Sequence, residues 1–379
     1  MSALAAPDRP VAPPDLPDRS TTDHAAARRE RLEETILPPL VAVMLALVIG
    51  DLLIVAYGQA PGPVYRLLLD GTWGNWYGFG QVLYKATTLT CTGLAFAVAA
   101  RAGLFNIGAE SQLAAGGFLA GVIGLLLPGG LPLLIAAPVL IVAAMAGGVA
   151  VGAVPGVLKA RFGANEVIVT IMLNFVVLAL LNWATATHLA VPETLHTPEL
   201  AAGTVPRLSE LMPAFRGSAA NVTLFVVLAA AAALSWWLFR SRRGFELRAV
   251  GLQPAAAEYG GISVGRTWIR AMTLAGGLAG LGGINFVLGY KLYYEEGFAA
   301  GSGFLGIAVA LVGRNHPLGI VLAALFFATL SQGGLAVNAL VPKEIVDVLQ
   351  AVVILAVAAA VPAVQYALRR SRGARRGAR

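Results

Sequence analysis

Residues 240–270 read RSRRGFELRAVGLQPAAAEYGGISVGRTWIR and lie between two apolar stretches that are long enough to cross a membrane. Arginines stand at both borders, and the alanine-rich interior has the pattern of an amphipathic helix. Positive charges in short loops favour the cytoplasmic side, and such a helix lies parallel to the bilayer. The stretch therefore predicts a polytopic membrane protein whose cytoplasmic loop offers Glu246, Arg248 and Glu258 to a soluble partner.

The composition also indicates a chain that lies mostly in lipid. Of its 379 residues, 58% are hydrophobic and 12% are charged, whereas about 25% of the residues in a soluble domain are charged. The 44 glycines suit helices that pack closely in a bilayer. Open sheet edges are excluded there, because unpaired backbone groups are too costly in hydrocarbon, so the predicted fold is all-α.

Ten apolar segments follow one another along the chain. Nine have the roughly 20 residues that cross a hydrocarbon core: 36–57, 82–100, 110–127, 131–158, 167–187, 222–239, 268–290, 317–335 and 345–366. The tenth, 304–312, is too short and is bracketed by glycines, which predicts a re-entrant helix beside a pathway. A similar interruption at 102–108 in the first half favours a five-plus-five internal repeat.

The distribution of basic residues predicts the topology. Alternate loops contain Arg101, Lys159 with Arg161, the 240–270 stretch, Arg314 and the tail, and all of these fall on one side. Fewer positive charges, Lys85 among them, fall on the other side. Both termini are therefore expected in the cytoplasm. This divides the chain into a disordered tail at 1–35, a transmembrane domain at 36–366 with a cytoplasmic loop at 240–267, and a basic tail at 367–379. The net charge of +7 then reflects topology and does not indicate nucleic acid.

Polar and aromatic side chains within or beside the apolar segments are candidates for a solute path. These path candidates are Phe105, Asn106, Glu110, Gln112, Glu166, Asn174 and Asn285. Asparagine and glutamine both donate and accept hydrogen bonds without charge, which suits a neutral, hydroxyl-rich solute, and aromatic rings suit a flat one. The alternative is that the amides only join helices to one another. Glu110 and Glu166 stand near segment starts, where a capping role is also sufficient.

Signatures of enzymatic chemistry are missing from the sequence. It has no GxxxxGK[ST] loop for ATP, no HExxH or paired-cysteine metal spacing among its histidines and its one cysteine, and no GxSxG elbow. We therefore expect no enzyme activity, no metal site and no cofactor. Energy for transport would then have to come from a partner.

Four motifs resemble a known family. They are RAGLFNIGAESQL at 101–113, KARFGANEVIVTIMLNF at 159–175, GFELRAVGLQPAAAEYGGI at 244–262 and GFLGIAVALVGRNHPLG at 303–319. In this order they resemble permease subunits of bacterial ABC importers in the branched-chain amino-acid and simple-sugar permease superfamily. The resemblance is strongest to the nucleoside-importing branch that works with basic-membrane-protein lipoproteins. Ser111, Gln253 and Gly260 depart from the usual residues of these motifs without changing a charge.

The resemblance implies a role and partners for the chain. A coupling loop would dock into a separate ATPase subunit and would use Glu246, Arg248, Gly251, Ala257, Glu258 and Gly261. Further partners would be an extracytoplasmic substrate-binding lipoprotein, a second and usually different permease chain, and the lipid of a bacterial cytoplasmic membrane. Two other functions remain open from the residues. One is simple-sugar import, and the other is ion-coupled transport with Asp51, Glu110 or Glu166 as a proton relay.

Overall fold

A computed structural model describes residues 41, 44–45, 47–342, 344–352 and 354–356 of the chain. Every regular element in these residues is helical, which confirms the predicted all-α fold of a polytopic membrane protein. The helices in chain order are α1 (Leu47–Ala56), α2 (Pro61–Asp70), α3 (Trp76–Arg101), α4 (Ala109–Leu126), α5 (Leu133–Phe162), α6 (Glu166–Ala184), α7 (Leu208–Leu211), α8 (Thr223–Arg240), α9 (Arg242–Leu252), α10 (Pro254–Tyr259), α11 (Val264–Leu281), α12 (Gly283–Val287), α13 (Ser302–Val312) and α14 (Pro317–Val337). A π-helical turn at Thr185–Leu189 extends α6, and residues 344–352 are again helical.

Six helices within the described residues are long and apolar enough to cross a membrane. They are α3, α4, α5, α6 with its π-turn, α8 and α14. The pair α1 and α2 makes a seventh span if it is counted as one, although its two helices are bent by 113°. The short α13 lies where the sequence predicts a non-spanning piece. Both predicted tails, and parts of the predicted segments 36–57 and 345–366, lie outside the described residues.

One predicted segment is not a continuous helix. The apolar run 268–290 is split, because α11 ends at Leu281 and α12 covers only Gly283–Val287. The break lies against α4, where a Cβ atom added to Gly283 would lie 2.4 Å from the backbone nitrogen of Gly117. Hydropathy does not predict this break, because apolar residues continue across it.

Glycines bring α5 and α11 into backbone contact at the centre of the bundle. A Cβ atom added to Gly148 would lie 2.0 Å from the carbonyl oxygen of Gly276, and one added to Gly276 would lie 2.2 Å from that of Gly148. Helix α4 joins them, because a Cβ atom on Gly116 would lie 2.3 Å from the Cα of Gly280. Small residues allow this approach in lipid, where packing replaces the hydrophobic driving force.

Backbone hydrogen bonds join two loops at the end of the bundle opposite α9 and α10. The segment after α6 pairs with the segment after α12 through Thr197 N to Tyr294 O at 2.9 Å and Leu200 N to Leu292 O at 2.7 Å. The rings of His196 and Tyr293 stack beside this contact with centroids 4.2 Å apart. These loops are therefore joined to each other at one end of the bundle, and the opposite end carries the loop between α8 and α11.

Candidate functional site

The predicted coupling loop consists of two short helices, α9 and α10. The Ser241 hydroxyl caps the start of α9 by accepting from the Gly244 backbone at 3.0 Å. Extended backbone at Gln253 (φ −157°, ψ 97°) separates the helices, and Pro254 opens α10, where its missing N–H costs nothing. Gly261 follows with φ +81°, a left-handed conformation that glycine adopts at low cost. Ser241, Gln253, Pro254 and Gly261 therefore determine where α9 and α10 begin and end.

Gly251 lies at the contact between α9 and the end of α3. A Cβ atom added there would lie 2.1 Å from the carbonyl oxygen of Arg101 and 2.9 Å from the backbone nitrogen of Gly103. The backbones touch, so this predicted coupling residue attaches the loop to the bundle. Ala257 of α10 is also buried, at 6% exposure. Both residues are therefore placed to support the loop from inside.

Charged groups connect the loop to two further helices. Glu246 pairs with Arg242 at 3.1 Å in its own helix and with Arg270 of α11 at 3.9 Å. The Arg248 guanidinium lies 5.3 Å from the centre of the Phe239 ring of α8. These contacts tie α9 to α11 and to α8, so a force on the loop reaches three helices when the contact at Gly251 is included.

A basic cluster surrounds the Phe239 ring beneath the loop. Arg101 lies 5.7 Å from the ring centre, and its Nε donates to the carbonyl oxygen of Asn315 at 3.1 Å. The imidazole of His316, between α13 and α14, stacks on the same ring at 5.2 Å. Burial lowers the pKa of His316, and the nearby Arg101 lowers it further. Both effects favour the neutral imidazole, which packs here as an aromatic ring.

The outer face of the loop exposes apolar side chains that the sequence analysis missed. Leu252 is 85% exposed and Tyr259 is 99% exposed, and the predicted Glu258 is exposed between them in the chain. Large apolar side chains on a charged surface indicate a protein contact. Their exposure follows from the packing of α9 and α10 on the bundle, and no pattern in the sequence distinguishes them from the buried residues of the loop.

Two path candidates near α4, Asn106 and Gln112, bond to each other, and Asn174 bonds to the backbone of the same region. The Asn106 side chain donates to Gln112 Oε1 at 2.9 Å and accepts from Gln112 Nε2 at 3.1 Å. Asn174 of α6 accepts from the Ser111 backbone at 3.1 Å and donates to the Ile107 carbonyl at 3.0 Å. The aromatic Phe105 is 39% exposed and packs edge-on against Phe96. These amides fix the 102–108 segment between α4 and α6.

Glu110 connects the starts of α4 and α13. Its two carboxylate oxygens accept from the backbone N–H groups of Gly301 at 2.7 Å and Gly303 at 2.6 Å. The helix start of α13 is thereby capped by a negative charge, which complements its positive dipole end. A Cβ atom on Gly303 would lie 2.2 Å from the Glu110 backbone nitrogen, so the two interrupted segments meet directly.

Two other path candidates also join helices. Glu166 accepts from Lys159 of α5 at 2.7 Å, beside the Asn165 side chain that caps α6. Asn285 of α12 donates to the Tyr84 carbonyl and to the Thr88 hydroxyl, each at 2.9 Å, and accepts from Asn221 at 2.9 Å. The two hydrogen bonds from the Asn285 amide nitrogen, to Tyr84 and to Thr88, join α12 to α3.

A cavity of 450 Å³ opens beside these contacts. Three aromatic rings line it, those of Tyr84, Phe286 and Phe298. Its polar lining includes Lys85, Ser302, Ser331, Asp347 and Gln350. Among the described residues, no path candidate lines this cavity, although Asn285 bonds to its lining residue Thr88 and Glu110 to its lining residue Gly301.

The structure corrects the position of one charge. The sequence analysis assigned Lys85 to the positive charges of the outer side, whereas Lys85 lies within α3, lines the cavity and donates to Ser331 Oγ of α14 at 3.2 Å. It stands near the start of the apolar run, and hydropathy alone does not distinguish an interfacial lysine from one that faces a cavity. Neither Asp347 nor Gln350 was singled out, because their helix reads as one more apolar segment.

A helical membrane bundle with a loop of two short helices at one end and a cavity lined by polar and aromatic side chains has the features of a transport permease. The chain belongs to the family described as "Branched-chain amino acid transport system / permease component", whose model matches residues 78–358. This confirms the resemblance that the four motifs indicate.

Three relatives extend this similarity over most of the chain. The guanosine ABC transporter permease protein NupP of Bacillus subtilis (strain 168) is 37% identical over 88% of this chain and 94% of its own. The nucleoside ABC transporter permease protein NupB of Lactococcus lactis subsp. cremoris (strain MG1363) is 34% identical over 85% of this chain and 90% of its own. The glucose ABC transporter permease protein TsgB13 of Haloferax volcanii is 34% identical over 84% of this chain and 85% of its own.

Proposed function

We propose that this chain is the permease subunit of a nucleoside importer of the ABC class in a bacterial cytoplasmic membrane. A separate ATPase subunit supplies the energy, and the pair α9 and α10 is the surface on which it docks. The observation that carries the proposal is the exposure of Leu252 and Tyr259 on a loop whose inner side is fixed to α3 at Gly251.

The contacts of the loop suggest how work reaches the transport path. ATPase closure would move α9, and the Gly251 contact would pass that movement to the end of α3. The pair between Glu246 and Arg270 would pass it to α11. Both helices lead to the cavity, because Lys85 of α3 lines it and α12, which follows α11, contributes Phe286. The ATPase shifts the bundle only if it binds the loop differently in the two states.

The similarity to permeases named for guanosine and for nucleosides favours a nucleoside as the solute. Aromatic lining of the cavity supports this choice, since a flat base can stack on Phe286 or Phe298. An extracytoplasmic lipoprotein would deliver the solute, and a second permease chain would complete the path. The relative named for glucose gives the alternative of a simple sugar. Uptake of labelled adenosine with unlabelled glucose as competitor separates the two.

The ion-coupled alternative would need Asp51, Glu110 or Glu166 as a proton relay, and two of these three carboxylates already have partners. Both oxygens of Glu110 accept from backbone amides, and Glu166 pairs with Lys159. Uptake that continues after ATP depletion and stops when the proton gradient collapses would favour that alternative over the ABC importer.

The docking surface is tested by the double variant Leu252→Asp and Tyr259→Asp. We expect the protein to fold, because both side chains are exposed, while ATPase co-purification and ATP-dependent uptake fall by about tenfold or more, as expected when apolar anchors of an interface are lost. The control is Leu195→Asp, which changes an apolar side chain of 62% exposure at the opposite end of the bundle and should retain the ATPase. Wild-type uptake in the double variant would contradict the proposed docking surface.

A further inference from the structure

The cavity has a polar end and an aromatic end. A second cavity of 120 Å³ adjoins it, and four lining residues belong to both. The shared residues are Lys85, Ser331, Asp347 and Gln350. Tyr84, Phe286 and Phe298 line only the larger cavity. The four polar residues therefore gather where the two cavities meet, and the aromatic rings lie away from that junction.

The polar end has the chemistry to bind a sugar diol. Gln350 Nε2 lies 3.4 Å from Asp347 Oδ1, and Lys85 Nζ donates to Ser331 Oγ at 3.2 Å. A carboxylate has two oxygens and accepts two O–H donors at once, while an ammonium group donates to sugar oxygens. Two neighbouring hydroxyls of a ribose match this pair of functions. A solute that lacks one of them leaves part of the carboxylate without a partner.

The aromatic end provides flat surfaces. The rings of Phe286 and Phe298 stack with centroids 4.8 Å apart and planes 27° from parallel. Phe286 also contacts Tyr290, whose ring lies 5.3 Å from that of Tyr84. A heteroaromatic base can join such a stack through its face, and this contact does not depend on the identity of the base.

The charges around the cavity match a neutral solute. One lysine and one aspartate line it, and the helix start of α13, which would otherwise attract an anion, is already occupied by the Glu110 carboxylate. Among the described residues that line the cavity, a phosphate group would find only Lys85 as a cationic partner, and it would lie close to Asp347. The cavity thus disfavours nucleotides relative to nucleosides.

We propose that Asp347 and Lys85 select the solute by its ribose hydroxyls, while Phe286 and Phe298 hold the base at the other end of the cavity. This inference rests on the proposed function, because it requires that the chain transports nucleosides. It makes the permease a second filter, independent of the protein that delivers the solute. Asp347 is then a specificity-determining residue that contacts the solute directly.

The test compares uptake of labelled adenosine and 2′-deoxyadenosine by the complete transporter in proteoliposomes. We expect the wild-type transporter to prefer adenosine. Asp347→Asn should lower adenosine uptake by about tenfold, because the charge-assisted hydrogen bond to the 2′-hydroxyl is removed. The uptake of 2′-deoxyadenosine, which has no 2′-hydroxyl, should stay within about twofold, because the amide oxygen can still accept from the 3′-hydroxyl. The delivery protein is the same in both cases, so a change in the ratio of the two rates belongs to the permease. Asp70→Asn, at an exposed carboxylate of α2, is the matched control and should leave both rates unchanged.

The possible outcomes separate the two proposals. If Asp347→Asn prefers adenosine over 2′-deoxyadenosine as strongly as the wild type does, the assignment of the diol site is overturned. The proposal that the chain belongs to a nucleoside importer is not affected by that result. Equal loss of both nucleosides in a folded Asp347→Asn protein also overturns it, because selection is then not the role of this carboxylate. Wild-type transporter that imports glucose and neither nucleoside overturns the proposed function itself.

Discussion

Replacing Gly148 with leucine is expected to abolish the folded protein. A Cβ atom at this position would lie 2.0 Å from the carbonyl oxygen of Gly276, a backbone atom that cannot turn aside as a side chain can. The axes of α5 and α11 would have to separate along their length, and α4 would lose its contact at Gly280. Overpacking of an ordinary core costs about 1–3 kcal/mol, and a backbone collision in the central helix pair should exceed that range. Size-exclusion chromatography and thermal melting in detergent measure the effect.

The matched control for Gly148 is Gly130. It lies in the turn between α4 and α5, and a Cβ atom there would meet no heavy atom within 4 Å. Gly130→Leu should therefore melt within a few degrees of the wild type. A Gly148→Leu protein that melts like the Gly130 variant would show that α5 and α11 do not pack through their glycines.

The second large effect is expected for Glu110→Ala. The change removes both acceptors from the backbone N–H groups of Gly301 and Gly303 at a site where Glu110 is 5% exposed. Each buried donor that is left unpaired costs about 1–3 kcal/mol, so the start of α13 should become less stable by a few kcal/mol. Because Gly301 and Ser302 line the cavity, uptake should fall together with the melting temperature.

A graded series makes this expectation sharper. Glu110→Gln keeps one oxygen acceptor and loses the charge, so its melting temperature should lie between those of the wild type and Glu110→Ala. Glu295→Gln is the control, because Glu295 is a partly exposed carboxylate that pairs with Lys291 at 3.8 Å, and it should change neither stability nor uptake. Equal melting temperatures for all three proteins and the wild type would show that Glu110 does not cap α13.

The residues of the predicted coupling loop illustrate what can and cannot be inferred from the sequence. Their location between two apolar segments follows from hydropathy and arginine placement, which are local properties. These local properties do not show which residues of the loop pack on the bundle and which are exposed. Gly251 lies against the α3 backbone, whereas Leu252 beside it is exposed, and only the packing of α9 on α3 distinguishes these neighbours.

The residues that line the cavity are even harder to predict from the sequence. Its lining comes from α3, α12, α13 with the segment before it, α14 and the helical residues 344–352, and α3 is far from the others in the chain. In a soluble helix the apolar face identifies the buried side, but a helix in lipid is apolar on both sides. Asn106 and Asn174 therefore satisfied every sequence criterion for a path, yet their side chains bond to α4 and its preceding segment. Lys85 looked like a boundary charge and instead faces the cavity.

The sequence by itself determined the helical membrane fold, the short α13, the position of the loop between α8 and α11 and the permease family, because each depends on composition, spacing or motif along the chain. The tertiary structure alone decided that α11 breaks before α12, that Glu110 caps α13, and that Lys85 and Asp347 line one cavity. The physical reason is that these features depend on which faces of the helices meet, and a bilayer gives both faces of a helix the same apolar appearance.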